Sequence, residues 1–230
     1  MQPMTHARPL PTGLDVVRVF LGPDGGGGNL LGVFLDGSLV PSSERQAMAT
    51  RLGYPETVYV DSVADGAASI AIFTPTRELA FAGHPTVGTS GLLRSRGFAV
   101  DRLIVPAGEV EVWQEGELAF IRARAGWGHE ITAVRYDSPA EVDAMTGAPD
   151  GQASYYAWAW IDEAEGIMRS RYFAASVGIQ EDEATGLAAV EMGHRIRRAF
   201  TIRQGVGSEL YVRPGPDGTV EVGGRCASSF

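Results

Sequence analysis

The sequence predicts an α+β protein made of two similar lobes, each a mostly antiparallel sheet around one helix. The chain has 230 residues, which suits two lobes of about 100 residues each. Short segments rich in β-branched and aromatic residues recur along it, and such segments are typical of strands. A strand and a helix also follow each other in the same order in both halves.

This internal repeat is visible in the spacing of the elements. In the first half, a strand segment ends at Phe73 and small residues open a helix from about Gly88. In the second half, the corresponding residues are Phe173 and Gly186. The spacings of 15 and 13 residues are similar. A repeat of this kind predicts two lobes related by a pseudo-twofold axis.

We divide the chain into a tail and two lobes. Residues 1–12 are predicted to be a disordered tail, followed by an N-terminal lobe at 13–104 and a C-terminal lobe at 105–230. No run approaches the roughly 20 apolar residues of a membrane span, and the first residues contain neither an apolar signal core nor a cleavage site. We therefore expect a cytoplasmic protein without a membrane partner.

The first lobe is predicted to contain strands and two helices. Its strand segments span 15–21, 30–36, 57–62 and 68–74. Four glycines separate the first two segments, and because they precede a strand they predict a turn rather than a phosphate loop. Ser43 and Gln46 resemble a capping box and Gly53 a stop, which predicts a helix over 44–52. A second helix is predicted over 85–96.

From residue 98 onward the same alternation continues. The strand segments there span 98–107, 109–115, 118–124, 131–136, 154–163, 167–175, 208–214 and 219–224. A short helix is predicted over 137–147, where Ser138 lies three residues before Glu141. A longer helix is predicted over 186–196.

Charge and composition exclude several classes of function. The net charge of −9 argues against nucleic acid as a partner, because phosphate binding needs clustered positive charge. All 19 basic residues are arginine, so lysine Schiff bases, a pyridoxal anchor and a Walker lysine are excluded. The single Cys226 excludes disulfides, a cysteine zinc cluster and a two-thiol racemase mechanism. The four histidines, His6, His84, His129 and His194, are isolated, so no metal site is predicted.

The segment from Gly83 to Ser90 fills a predicted helix start with small residues. The first turn of a helix has backbone N–H groups without partners and carries about half a positive charge. Pro85 presets the helical φ, Gly83 and Gly88 leave those groups uncovered, and Thr86 offers a hydroxyl. The start suits a carboxylate or a developing oxyanion. The alternative is a capped helix packed closely against a sheet, which small residues also permit.

A second helix start carries similar features. Three acidic residues at 181–183 lie just before Thr185 and Gly186. If the lobes are pseudo-symmetric, the two helix starts face one cleft and can bind the same anion.

Four stretches form a wider pattern: IFTPTRELAFAGHPTVGTS (72–90), GGNLLGVFLDG (27–37), PETVYV (55–60), and EDEATG (181–186) with a later QG pair. This pattern resembles the PhzF family of phenazine-biosynthesis isomerases, from about residue 13 to residue 224 and most strongly in the first half. The resemblance implies a diaminopimelate-epimerase-like fold with the active site between the lobes. It also implies a homodimer and catalysis without a cofactor.

The resemblance implies roles for three acid/base residues. Glu56 takes the position of the general acid/base that moves a proton between a substrate carbon and its neighbour, for which burial must lift its pKa. His84 corresponds to a cleft histidine that hydrogen-bonds the substrate or relays a proton. Asp182 corresponds to an aspartate that contacts the polar end of the substrate. Without the resemblance, Glu56 is interpreted as an exposed carboxylate and His84 as a helix cap.

Further residues are expected to bind the substrate, from the resemblance and from the helix-start argument. They are Asn29, Gly83, Thr86, Thr185, Gly186 and Leu187. Two positions depart from the family pattern, because Leu187 replaces a serine and Glu183 replaces a proline. A hydroxyl matched to substrate contributes about 0.5 to 3 kcal/mol. Its loss indicates a different substrate or weakened catalysis.

The sequence thus predicts a cofactor-independent isomerase or epimerase that acts on a small carboxylate-bearing substrate. The alternative, which Leu187 favours, is a family member with impaired catalysis that serves as a small-molecule-binding or interaction protein. A hydrolase or thiol enzyme is not predicted, because the chain has no nucleophile elbow and Cys226 lies on a terminal segment.

Overall fold

The structure, a computed structural model, describes residues 13–128, 130–174 and 179–228. The predicted tail at 1–12 and His129 lie outside the described residues. The strands are β1 (Leu14–Leu21), β2 (Gly27–Phe34), β3 (Glu56–Ala64), β4 (Ala67–Phe73), β5 (Glu78–Leu79), β6 (Arg102–Val105), β7 (Gly108–Glu115), β8 (Leu118–Ala123), β9 (Thr132–Arg135), β10 (Tyr155–Asp162), β11 (Ile167–Ala174), β12 (Ile179–Asp182), β13 (Phe200–Gln204), β14 (Ser208–Pro214) and β15 (Val220–Ser228). The helices are α1 (Ser42–Leu52), α2 (Gly83–Ser95), α3 (Pro139–Asp143) and α4 (Gly186–Ile196). Within these ranges, no helix is long and apolar enough to cross a membrane.

The elements form a repeat. The series β2-α1-β3-β4-β5-α2-β6-β7-β8 is followed by β9-α3-β10-β11-β12-α4-β13-β14-β15. The parallel pairs correspond, since β2 with β3 matches β9 with β10, and β4 with β6 matches β11 with β13. The short strands β5 and β12 pair antiparallel with β4 and β11. The predicted α+β architecture of two similar, mostly antiparallel lobes is confirmed.

Strand β15 joins the two lobes. From Val220 to Gly223 it pairs with β8 on one side and with β14 on the other. From Arg225 to Ser228 it pairs with β1, which closes β1, β2, β3, β4, β6, β7, β8 and β15 into a ring around α2. The predicted lobe boundary at 104/105 falls inside β6, which pairs with β4 on one side and β7 on the other. The sheet shows no break there, and the division into lobes at this point stays a prediction.

Helix α2 is buried along most of its length, which explains many of its small residues. A Cβ at Gly88 would lie 2.5 Å from Cγ2 of Val19 and 2.7 Å from Cδ2 of Leu31, so glycine lets β1 and β2 pack this closely. The buried hydroxyls of Thr86 and Ser90 donate to carbonyls of the preceding turn. Close packing of helix against sheet therefore accounts for part of the small-residue pattern.

The predicted start of α1 needs correction. The helix begins at Ser42 with Pro41 as its N-cap, and no described side chain caps it. The Ser43 and Gln46 capping box is wrong, because the Gln46 amide instead donates to the carbonyl of Thr74 at 3.0 Å. A tertiary contact has replaced the local one.

Other helix boundaries follow their signals. Gly53 ends α1 in the left-handed conformation with φ 70°. Ser138 caps α3 by accepting from the backbone N–H of Glu141 at 3.4 Å, although α3 ends earlier than predicted. Helix α4 has the predicted bounds.

The strands β5, β12 and β13 were not predicted.

Replacing Gly88 by valine is expected to lower the free energy of unfolding by about 1 to 3 kcal/mol, because the added methyl groups enter space held by β1 and β2. Urea denaturation measures this change. Gly147→Val is the matched control, since a Cβ there meets no atom within 4 Å. Equal losses in the two variants would contradict the described packing of α2.

Candidate active site

The starts of α2 and α4 meet backbone to backbone. A Cβ at Gly83 would lie 2.7 Å from the carbonyl carbon of Gly186, and a Cβ at Gly186 would lie 2.6 Å from the backbone nitrogen of His84. Their close approach therefore requires glycine at both positions. The N-cap residues Ala82 and Thr185 make no side-chain capping hydrogen bond to a described residue. The N-terminal ends of α2 and α4 are consequently in contact, and neither has a side-chain cap among the described residues.

A carboxylate and an imidazole lie beside this contact. Glu56 begins β3, His84 is the second residue of α2, and Oε2 of Glu56 lies 2.8 Å from Nδ1 of His84. The His84 side chain is 4% exposed and that of Glu56 16%. Nε2 of His84 is buried and has no hydrogen-bond partner among the described residues. An imidazole placed in this way can hold or relay a proton.

A second carboxylate comes from the other lobe. Asp182 ends β12, and its two carboxylate oxygens accept hydrogen bonds from the Asn29 amide and the Thr185 hydroxyl, each at 2.6 Å. The Gln204 amide donates to the Thr185 hydroxyl at 2.8 Å and to the Asp182 carbonyl at 2.9 Å. Because Asn29 belongs to β2, the Asp182 carboxylate is held from both lobes.

The two carboxylates influence each other. The pKa of Asp182 is raised from 3.8 to about 6, first by burial and then by the negative charge of Glu56. The hydrogen bond from Thr185, the charge of His84 and the hydrogen bond from Asn29 oppose this rise. Asp182 is therefore protonated more readily than an exposed aspartate.

These polar groups lie in a largely apolar cleft. It encloses about 560 Å³ of empty space, including its open mouth. Its apolar and aromatic lining residues are Leu79, Phe81, Ala82, Pro85, Tyr172, Ala174, Ala184 and Leu187. Such walls strengthen the electrostatic interactions between the groups that they enclose.

The structure brings most of the predicted site residues together. The cleft is lined by Glu56, Gly83, His84, Asp182, Thr185, Gly186 and Leu187. Asn29 lies behind Asp182 as a hydrogen-bond donor rather than in the lining. Thr86 is not among the described lining residues, because its buried hydroxyl donates to the carbonyl of Ala82 at 2.6 Å. The hydroxyl expected to meet the substrate is thus used within the helix.

Two residues of the site were missed by reasoning from sequence. Gln204 fixes Thr185 and Asp182 from β13, and its only signal was the QG pair. Arg77 lines the cleft from the turn between β4 and β5; it lies within the quoted stretch 72–90, but no role was assigned to it there. Both residues reach the site because the fold brings together segments that are far apart in the sequence.

Glu183, at the position where the resemblance implies a proline, anchors the turn at 205–207. Its carboxylate accepts hydrogen bonds from the backbone N–H groups of Val206 and Gly207 and from the Ser208 hydroxyl, at 2.8 to 3.2 Å. The Ser208 hydroxyl in turn accepts from the backbone N–H of Gly28 at 2.8 Å. Glu183 therefore fixes the turn at 205–207, and Ser208 separately joins the end of this turn to Gly28 of the first lobe.

Leu187, at the position where the resemblance implies a serine, forms one wall of the cleft. It is the second residue of α4 and so the counterpart of His84 in α2. A Cβ at Gly128 would collide with its methyl groups, which means that Leu187 packs directly on Gly128. The neighbouring Trp127 packs edge-on against Phe81, with ring centroids 5.5 Å apart. An apolar wall thus stands at the position where the resemblance implies a hydroxyl.

The described residues contain neither a reactive thiol nor a metal-binding cluster of side chains. Burial raises the pKa of Cys226 to about 12, and a Cβ at Gly91 of α2 would lie 3.2 Å from its Cβ. A thiol with this pKa is a poor nucleophile at neutral pH. In the part of the chain that the structure describes, no three His, Cys, Asp or Glu side chains are grouped to hold a metal ion.

Comparison with known proteins assigns the family. A model described as phenazine biosynthesis-like protein matches residues 22–118. An uncharacterized isomerase of Deinococcus radiodurans is 36% identical over 217 residues, an alignment that covers 71% of this chain and 69% of that protein. The chain belongs to the PhzF family. The predicted enzyme class of this PhzF protein, an isomerase, is confirmed at the level of the family.

Two further similarities extend this assignment. The trans-2,3-dihydro-3-hydroxyanthranilate isomerase of Pseudomonas fluorescens is 41% identical over 64 residues, which cover 27% of this PhzF chain and 23% of that enzyme. The crystal structure of a PhzF family protein from Enterococcus faecalis has a TM-score of 0.77 at 17% identity, and the match covers 94% of this chain and 96% of that chain. The second comparison confirms the predicted fold.

The raised pKa of Asp182 predicts a pH dependence of stability. Because the folded-state pKa of about 6 exceeds the ordinary 3.8, the contribution of Asp182 to stability is fully present below pH 3.8 and is lost as pH rises through 6. We expect this group to lower the free energy of unfolding by about 1 kcal/mol between pH 5 and 7.5. Urea denaturation at both pH values measures it.

Two variants isolate this contribution. Asp182→Asn is expected to lose this part of the pH dependence, while Asp150→Asn, at an exposed position, is expected to keep it. An unchanged pH dependence in Asp182→Asn would contradict the pKa assignment.

Proposed function

We propose that this PhzF protein is a cofactor-independent isomerase or epimerase that moves a proton at a carbon of a small carboxylate-bearing substrate. The observation that carries the proposal is the Glu56 and His84 pair, which lies in a cleft beside two uncapped helix starts. The pair supplies an acid/base group, and the helix starts supply a site for an anion.

The substrate carboxylate is assigned to the junction of α2 and α4. Each helix start carries about half a positive charge and presents first-turn N–H groups without capping side chains. Two such ends in backbone contact repel each other, and an anion between them relieves this repulsion. The same groups stabilise negative charge that develops on the carboxylate when a neighbouring C–H bond breaks.

Glu56 is assigned as the group that carries the proton. Its Oε2 is held by His84, and its Oε1 makes no hydrogen bond to a described residue, so one oxygen is free to accept a proton from carbon. Both oxygens of Asp182 already accept short hydrogen bonds, from Asn29 and Thr185. Asp182 is therefore assigned to the polar end of the substrate.

The proposed step moves one proton and one electron pair. The C–H bond next to the carboxylate breaks, the proton passes to Oε1 of Glu56, and the electron pair delocalises toward the carboxylate at the helix starts. Where a C=C bond is conjugated with the carbon that loses the proton, Glu56 returns the proton to the far carbon of that system and the double bond shifts, which gives isomerisation. Epimerisation instead requires that a second acid delivers a proton to the opposite face of the same carbon. His84 keeps the Glu56 carboxylate in position by its hydrogen bond at 2.8 Å.

The relatives suggest a first compound to test. The Pseudomonas fluorescens relative is named for trans-2,3-dihydro-3-hydroxyanthranilate, a cyclic carboxylate. We propose this class, rather than that compound, as the substrate class of this protein. A homodimer and a cytoplasmic location are proposed from the family resemblance.

Glu56→Gln is expected to reduce solvent deuterium exchange at a substrate carbon by about a hundredfold or more, because it removes the group that carries the proton. Proton NMR in deuterium oxide measures the exchange on a panel of cyclic and amino carboxylates that includes trans-2,3-dihydro-3-hydroxyanthranilate. The melting temperature is expected to stay within a few degrees.

The matched control is Glu78→Gln, an exposed glutamate outside the cleft lining, which should leave the rate of exchange unchanged. Exchange that survives Glu56→Gln would overturn the assignment of the acid/base.

A catalytically impaired protein that serves in small-molecule binding or interaction is the second candidate. Leu187 favours it, because its side chain packs on Gly128 where the family has a hydroxyl. Wild-type protein that binds carboxylates without exchange, together with exchange that appears in Leu187→Ser, would support this candidate over the first.

Leu187→Ser is also expected to lower the free energy of unfolding by about 2 to 5 kcal/mol, because it opens a cavity against Gly128. Leu187→Met, which conserves volume, is the matched control and is expected to cost less than about 1.5 kcal/mol. Chemical denaturation compares the two. A loss in Leu187→Ser no larger than in Leu187→Met would contradict the described packing.

A further inference from the structure

Arg77 carries a free positive charge in the cleft. Most described arginines contact carboxylates, carbonyls, a sulfur atom or aromatic rings through their side chains. The side chains of Arg77, Arg124 and Arg195 make no such contact with another described residue. Of these three, Arg77 is the one that lines the cleft. A charge in this position can bind a ligand without first breaking an ion pair.

The backbone of Arg77 is fixed although its side chain is exposed. Thr74 closes the turn, since its N–H and its hydroxyl reach the Arg77 carbonyl at 2.8 and 3.0 Å. The Arg77 N–H is 3.0 Å from the same hydroxyl. Gln46 and Thr50 of α1 attach the turn to the helix through the carbonyls of Thr74 and Pro75. The guanidinium therefore extends from a rigid support.

Neither carboxylate of the cleft, Glu56 or Asp182, pairs with the Arg77 guanidinium. Glu56 is paired with His84, and Asp182 is held by Asn29 and Thr185. Arg77 is also absent from the groups that shift the pKa of Asp182. The apolar side chains of Leu79, Phe81 and Leu187 line the same cleft. The cleft thus offers an anion site at the helix starts, apolar walls and a separate cation.

We propose that Arg77 is a specificity-determining residue that binds a second carboxylate of the substrate. The substrate class is then a small dicarboxylate, with one carboxylate at the helix starts and an apolar body between the two. A guanidinium suits this role because its planar fork can donate two parallel hydrogen bonds to a carboxylate. The inference rests on the proposed function, which assigns the first carboxylate to the helix starts.

Binding of matched probes tests the inference. Succinate, glutarate and adipate, each beside its monomethyl ester, are titrated into the full chain, and dissociation constants are measured by NMR. The ester removes the charge of one carboxylate and keeps the chain. At least one diacid is expected to bind about tenfold more tightly than its ester, as a charge-assisted hydrogen bond predicts.

Substitutions attribute this preference to Arg77. Arg77→Gln is expected to reduce the preference to less than about twofold while the ester binds as before, and Arg77→Lys is expected to retain part of it. Arg195→Gln is the matched control, because Arg195 is also exposed and without a described partner but lies at the far end of α4. It should keep the full preference.

The outcomes separate this inference from the proposed function. Two results would overturn the role of Arg77 and leave the helix-start site standing. In the first, each ester binds as tightly as its diacid; in the second, the Arg77→Gln variant still binds the diacid more tightly than the ester. If neither the diacids nor the esters bind, the helix-start site of the proposed function fails and the role of Arg77 fails with it.

Discussion

The backbone contact between Gly83 and Gly186 controls the arrangement of the whole site. Each glycine begins a helix, and a Cβ on either one would lie less than 3.0 Å from the backbone of the other helix. The positive ends of both helix dipoles therefore meet, each with about half a positive charge. Glu56 and Asp182 line the same cleft and offset this charge. The helix packing consequently creates the site to which the proposed function assigns the substrate carboxylate.

The repeat is close to symmetric in its backbone, but the chemistry of its two halves differs. The second residue of α2 is His84, whereas the second residue of α4 is Leu187. Strand β3 begins with Glu56, whereas the corresponding β10 begins with Tyr155, whose hydroxyl lies 2.8 Å from that of Tyr136. The first lobe thus supplies the Glu56 and His84 pair, and the second supplies the Asp182 carboxylate and the apolar Leu187. A single acid/base group can remove and return a proton on one face of a substrate, which suits a shift between neighbouring carbons.

Local patterns predicted the fold better than they predicted the contacts of the site. The small residues from Gly83 onward and the Thr185 start indicated both central helices, because helix starts depend on nearby residues. Strand β13 has only five residues, and its place in the sheet is set by pairing with β11 on one side and β14 on the other. The contact of Asn29 with Asp182 joins residues 153 positions apart. Thr86 was misjudged because a helix start does not reveal whether its hydroxyl faces inward.

If the proposed anion site at the helix starts is correct, Leu187 affects the shape and polarity of the cleft wall more directly than it affects anion binding. The start of α4 has no side-chain cap among the described residues, so the groups available to an anion are backbone amides. A leucine leaves those amides in place and removes only a hydroxyl. Its methyl groups instead occupy the space next to Gly128 and make that side of the cleft apolar. A more apolar wall favours a ligand whose second polar group lies elsewhere, and the free guanidinium of Arg77 lines this same cleft.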